Sequence, residues 1–436
     1  MSTTLESPAE SILPEADILD EQAFDEHVQK NLSWNFSVNL MDLSFIIFAG
    51  SLVSRETVIP VLINQLTDSK LAIGLLVAIY AAGVNLPQLF IANHSEGMRY
   101  KLPFVKFWGG WFERGPYFLI GLFVWFFAMQ APSMTVVFIL LMLAVSAFGM
   151  GIATPAWYDI IAKAIPVERR GIFSGIGHGL GAFIGIAGAY FVGVILDAFD
   201  FPNNFAILFV VASFFMFISW IGLALNREPA SLKTKERIEL SEYLKDLPQI
   251  LQTNANYSRF LISRALVHLG AMSIGFFMVY GTERFDIDGA GVGLLTGIMI
   301  GSKAATNLLW GLIGDRYGHK SVLTGAAFAV ALAALIAWMA SSFWWLAVTF
   351  VLLGAYLAAD EVSALNIILE FCVPEDRPTY IGLTNTLFAP FMIVAPLVGG
   401  WLTDVSGYRP MFAVALVVGL IGSLMLAFWV REPREA

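Results

Sequence analysis

Twelve times along its 436 residues the chain stays apolar for long enough to cross a bilayer. A hydrocarbon core of roughly 30 Å takes about 20 residues of helix. Runs of that kind fall near 38–64, 71–93, 105–129, 134–158, 172–195, 204–226, 258–282, 289–313, 321–340, 344–369, 379–403 and 410–430. They are continuous rather than alternating. That favours helices over a β-barrel, because a helix pairs its backbone groups within its own segment. Hydrophobic residues make up 58% of the chain, more than a soluble domain of this size buries, so lipid must cover the rest. The reading is an all-α polytopic membrane protein of twelve transmembrane helices.

The polar segments set limits on function. The first thirty residues hold eight acids and one Lys, and the opening carries no basic, apolar signal peptide. They read as a solvated, partly disordered tail over 1–35. No basic patch suits nucleic acid, and one cysteine, Cys372, leaves no disulfide or cysteine metal cluster. "GLGAFIG" lies inside an apolar run with no Lys-Ser/Thr behind it, so ATP is not expected as driver. No metal or other cofactor, and no enzymatic activity, is expected.

Lys and Arg fix an orientation. With both termini cytoplasmic, sixteen of them fall in inner loops and the C-terminal tail, and only Lys70, Arg284 and Arg409 in outer loops.

The chain also repeats itself. Residues 72–101 align without a gap on 291–320, placing Gly74 on Gly293, Glu96 on Asp315 and Lys101 on Lys320. "PVERRGIFSG" at 166–175 parallels "PEDRPTYIG" at 374–382, and "NREP" at 226–229 parallels "VREP" at 430–433. Two six-helix halves in one orientation follow, over 36–228 and 258–432. The linker, 229–257, sets Leu240, Leu244, Leu247 and Leu251 on one stripe, which reads as an amphipathic helix along the cytoplasmic face.

Between the eighth and ninth runs stands "GLIGDRYGHK", 311–320. Twelve helices in two pseudo-symmetric halves with this loop resemble the major facilitator superfamily, whose signature is Gly-x-x-x-Asp-Arg-x-Gly-Arg/Lys-Arg/Lys. Gly311, Asp315, Arg316, Gly318 and Lys320 match it, with Gly314 inside it and His319 in a basic slot. The resemblance covers about 35–432 and implies that the loop is a cytoplasmic gating latch. Gly318 permits a tight turn, Asp315 can face a helix N-terminus, and Arg316 and Lys320 can pair across the halves or hold headgroups. The equivalent loop of the first half, "ANHSEGMRYK", keeps only Glu96 and Lys101 in register. The fourth run lacks the membrane Arg of many proton-coupled members, and the fifth lacks the Gly-Pro pair of drug antiporters. Both departures count against proton-driven drug efflux.

Charge inside a span is costly, so each instance is expected to face a partner or a wet cavity. Arg55, Glu56, Glu113, Arg114, Arg264, His268, Lys303, Asp360 and Glu361 are the candidates. Arg55 shares a helical stripe with Ser37, Ser44 and Ser51; Lys303 with Thr296 and Asn307; Asp360 with Tyr356 and Ser363. Those three are expected to line the cavity, with Asp360 coupling to protons and Lys303 as its partner. Glu56 and Glu361, about 100° round the helix, can instead make buried pairs, and with Arg264 and His268 they are the further candidates for substrate or proton coupling. His268, like His178, either lines the cavity or bonds a neighbouring helix. The family resemblance puts the third helix outside the cavity, so Glu113 and Arg114 read as structural. Pro87, Pro155, Pro390 and Pro396 are expected to supply bends.

The expectation is a secondary transporter of a bacterial-type inner or plasma membrane. It moves a small-molecule substrate by alternating access, coupled to protons, as a monomer in the lipid bilayer. A uniporter or lipid flippase of the same fold, and a non-transporting receptor or assembly factor, are the alternatives.

Overall fold

The computed structural model describes residues 15–231, 251–252, 254–372 and 377–435. It is predominantly helical over these residues, and the chain crosses from the side of its termini to the far side and back six times. The crossings are α1 (Glu15–Leu52, resumed as Val58–Leu66), α2 (Lys70–Glu96), α3 (Leu102–Phe127), α4 (Pro132–Ala164), α5 (Val167–Ala198) and α6 (Asn203–Ala224). The second half continues with α7 (Ala255–Phe285), α8 (Gly289–Tyr317), α9 (His319–Met339), α10 (Phe343–Glu370), α11 (Arg377–Ser406) and α12 (Tyr408–Phe428). Eleven of them contain one helix long and apolar enough to span. The twelfth, α3, carries a π turn, Trp108–Arg114, within its helical run.

The first helix starts earlier than hydropathy suggests, at Glu15, so the stretch expected as tail up to residue 35 is helical from there on. Its polar residues are the reason. The Asn35 amide donates to the Arg227 carbonyl at 3.1 Å and accepts from the Arg227 N–H at 2.9 Å, while Asn39 and Asn226 exchange side-chain bonds of 2.6 and 3.1 Å. Hydropathy penalises asparagines that here tie α1 to the chain leaving α6. Of the linker stripe, Leu240, Leu244 and Leu247 lie outside the described residues, while Leu251 packs on the core.

The four prolines sit inside continuous helices. Irregular backbone occurs instead at Val53–Thr57, at the π turn and in a 3₁₀ stretch, Ala271–Phe276. Such departures inside helices recur at functional sites.

The halves meet on the far side through α2 with α11 and α5 with α8. A Cβ on Gly74 would fall 2.3 Å from the Pro396 carbonyl, and one on Gly293 2.6 Å from that of Ala189. These are the two glycines aligned by the internal repeat, and each lets one half's backbone touch the other's. Toward the termini the same helices part: Gly171, Gly175 and Gly179 on α5 and Gly311 on α8 have nothing within 4 Å of an added Cβ. Among the described residues, the halves are in backbone contact on the far side and apart at these glycines on the side of the termini.

Candidate functional site: a charged cleft between the halves

The break in α1 gives the cleft its first pair. The Ser54 carbonyl accepts the N–H of Val58 and of Ile59, both at 2.9 Å, and the residues between leave helical register. Ser44 and Ser51, on the predicted stripe, are buried, whereas Arg55 swings out and is exposed. Its Nε donates to Glu56 at 2.7 Å and its guanidinium lies 3.9 Å from the centre of the Tyr80 ring. Thr57, next in line, accepts from the Thr296 hydroxyl of α8 at 2.9 Å, which anchors the break to the other half.

Two turns along α8 from Thr296, the Lys303 ammonium lies 2.7 Å from Glu361, and their side chains are 42% and 39% exposed. His178 Nε2 of α5 approaches the other oxygen of Glu361 at 3.5 Å, while His178 Nδ1 lies 2.8 Å from the Ser174 carbonyl. Glu361 is therefore held by a base from each half.

This corrects the expected pairing of Asp360 with Lys303. Asp360 pairs with Arg264 of α7, whose side chain is only 2% exposed. Tyr356 and Ser363, which marked the Asp360 stripe as cavity-facing, are buried; Ser363 meets His319 Nδ1 at 3.0 Å. That polar stripe joins helices within the second half, and Glu361 faces the cleft. His268 is buried beside the pair, its ring 5.1 Å from that of Phe388.

One acid escaped the reading of the sequence. Asp42 of α1 is buried and pairs with Arg114 at 3.0 Å, and Arg114 also meets Glu113 at 3.0 Å. Only the partner 72 positions away gives Asp42 its meaning.

Among the described residues, the contacts of the latch lie within its own half. Gly318 turns the chain at φ +85°, and a Cβ there would strike the Glu432 carboxylate. Arg434 donates to the Asp315 carbonyl at 3.0 Å and Lys320 to that of Ala427 at 3.0 Å, while Arg316 lies over Tyr317. Gly314 is buried against His319, and Gly311 stands open. In the first half Glu228 accepts from the N–H of Lys101 and of Leu102 at 2.9 and 2.8 Å, and the Lys101 ammonium meets Asp159 at 2.8 Å. The two "REP" glutamates thus lie at equivalent turns. The Glu96 side chain lies outside the described residues.

Residues 260–436 match the family model of the Major Facilitator Superfamily. The chain is 30% identical over 135 residues to the multidrug resistance protein MdtG of Dickeya zeae (strain Ech586), and over 141 residues to that of Salmonella typhi. Those segments cover 30% and 32% of this chain and 32% and 34% of the relatives, so the match spans about a third of their length. Among solved structures, a point mutant of the nucleoside transporter NupG superposes with a TM-score of 0.65 at 16% identity, over 90% of this chain and 98% of that one. A D-xylose–proton symporter gives 0.66 at 12% identity, over 92% and 99%. With twelve crossings in two repeated halves and the signature loop on its turn, the chain has the fold of these transporters, and its second half matches the model of the Major Facilitator Superfamily.

Proposed function

We propose that the protein is a secondary active transporter that carries a small solute by alternating access and draws on a proton gradient. The observation that carries this reading is Glu361, a cleft carboxylate gripped by Lys303 from its own half and His178 from the other. A proton on Glu361 removes the charge that holds both bases, which loosens one tie between the halves; losing the proton restores it. Such a group can make rocking depend on protonation. The sixteen-to-three distribution of Lys and Arg supports cytoplasmic termini in an inner or plasma membrane. On that orientation the open side faces the cytoplasm.

The relatives' names span drugs, nucleosides and xylose, so the fold supports transport without naming the solute. The protein acts as a monomer, each copy holding a complete cleft, and performs transport rather than catalysis. Thermal-shift screening against metabolites, drugs and lipids supplies a substrate. Glu361→Gln in proteoliposomes is then expected to lose accumulation driven by a pH gradient while keeping exchange at equal pH. Accumulation at the wild-type rate would remove Glu361 from the coupling.

A further inference from the structure

The cluster around Arg114 has one acid too many. Arg114 Nη2 donates to Asp42 at 3.0 Å; Nη1 donates to Glu113 at 3.0 Å and to the Gly109 carbonyl at 2.7 Å. Asp42 further accepts from the Ser219 hydroxyl at 2.5 Å and the Trp157 indole at 3.3 Å. Three donors from three helices fix Asp42 as a carboxylate. Among the described residues, the Glu113 side chain meets Arg114 alone, and its backbone carbonyl takes the Ser146 hydroxyl at 2.6 Å.

No second cation balances the sum among the described residues. The groups facing the cluster are Asp42 from α1, Tyr80 from α2, Tyr117 on α3 itself, Ser146 and Trp157 from α4 and Ser219 from α6. Arg55, stacked on Tyr80, is taken by Glu56. Two carboxylates against one guanidinium leave a net negative charge about halfway along a membrane-crossing helix, where Glu113 is 20% exposed. An uncompensated charge there costs far more than neutralising it.

We infer that Glu113 is a proton-binding site inside the first half, held in this conformation as a neutral carboxyl beside the Arg114–Asp42 ion pair. The π turn builds it. Gly109 leaves room, since a Cβ there would lie 3.1 Å from Arg114 Nη1 and 3.4 Å from Glu113 Oε2, and Gly149 brings the backbone of α4 against the turn. The step is a simple one: the Glu113 carboxyl releases its proton to water and becomes a carboxylate, or takes one back. The site goes beyond the role given to Glu361 and does not depend on it.

Infrared spectroscopy of the full-length protein in lipid, with glutamate carbon-13 labelled, tests this. The isotope-shifted stretch of a protonated carboxyl should persist at neutral pH, above the range where exposed glutamates ionise. It should vanish in Glu113→Gln. It should also vanish in Asp42→Asn, where Glu113 and Arg114 balance one to one. A glutamate band that titrates away in the ordinary carboxylate range in the wild type, or one that survives in Glu113→Gln, would overturn the assignment. Absence of the band from the labelled wild type would overturn the assignment outright, and Glu113→Asp, which keeps a carboxyl but loses the label, replaces Glu113→Gln should that variant not fold.

Discussion

Asp404 and Asp197 are counterparts across the internal repeat, and each caps a helix of the opposite half. Asp404, near the end of α11, accepts the N–H of Lys70 at 2.7 Å and of Leu71 at 3.0 Å, where α2 begins. Asp197, near the end of α5, accepts the N–H of Ala290 at 2.9 Å, where α8 begins. A helix N-terminus offers unpaired N–H groups and a partial positive charge, so each carboxylate binds across the seam. The Lys70 ammonium adds a contact to Glu283 of α7 at 2.5 Å.

These caps should set the stability of the far-side seal. At about 1 kcal/mol for each cap, Asp197→Asn with Asp404→Asn should shift the balance toward far-side opening roughly thirtyfold. Thiol labelling at positions 68 and 290, in a Cys372→Ser background, reads the change; unaltered reactivity in the double variant would count against the caps.

Glycine contacts give a second expectation. Gly74→Ala must push a methyl into the Pro396 carbonyl, an overpacking worth about 1–3 kcal/mol, so transport should fall about tenfold or more. Gly311→Ala meets nothing in this conformation and should leave the far-side contact intact, whereas Gly74→Ala should loosen it, as read by thiol labelling on the far side. Equal far-side labelling of the two variants would contradict the close contact described above.

Asp360 and Glu361, adjacent in sequence, should fail differently. Asp360→Asn strands the buried Arg264 guanidinium and should cost about 3–5 kcal/mol of stability, seen as a lower unfolding temperature in detergent. Glu361→Gln removes a half-exposed acid and should unfold near the wild-type temperature. The reverse order of stabilities would restore Asp360 to the cleft.

Much of this arrangement is readable from the sequence. The crossings follow from run length, and the repeat predicts that Gly74 and Gly293 do one job. The signature loop also names its own turn, Gly318. The cleft is harder, because a polar stripe on a membrane helix serves helix-to-helix bonding as readily as a cavity. Tyr356 and Ser363 do the former, which is why Asp360 rather than Glu361 looked like the cleft residue. Arg55 lines the cleft for a reason other than its stripe, since the helix breaks at Val53–Thr57 and discards the register. Asp42 and Arg114 are paired only by the fold.

The central claim is that the two sides open in alternation. Its most direct test is a pair of spin-label distances in a Cys372→Ser background, one across the open side between positions 175 and 311 and one across the seal between 69 and 406. Adding the double Asp197→Asn, Asp404→Asn change, or a substrate found by screening, should shorten the first distance while it lengthens the second. Both distances staying fixed, or both moving in the same direction, would contradict the account.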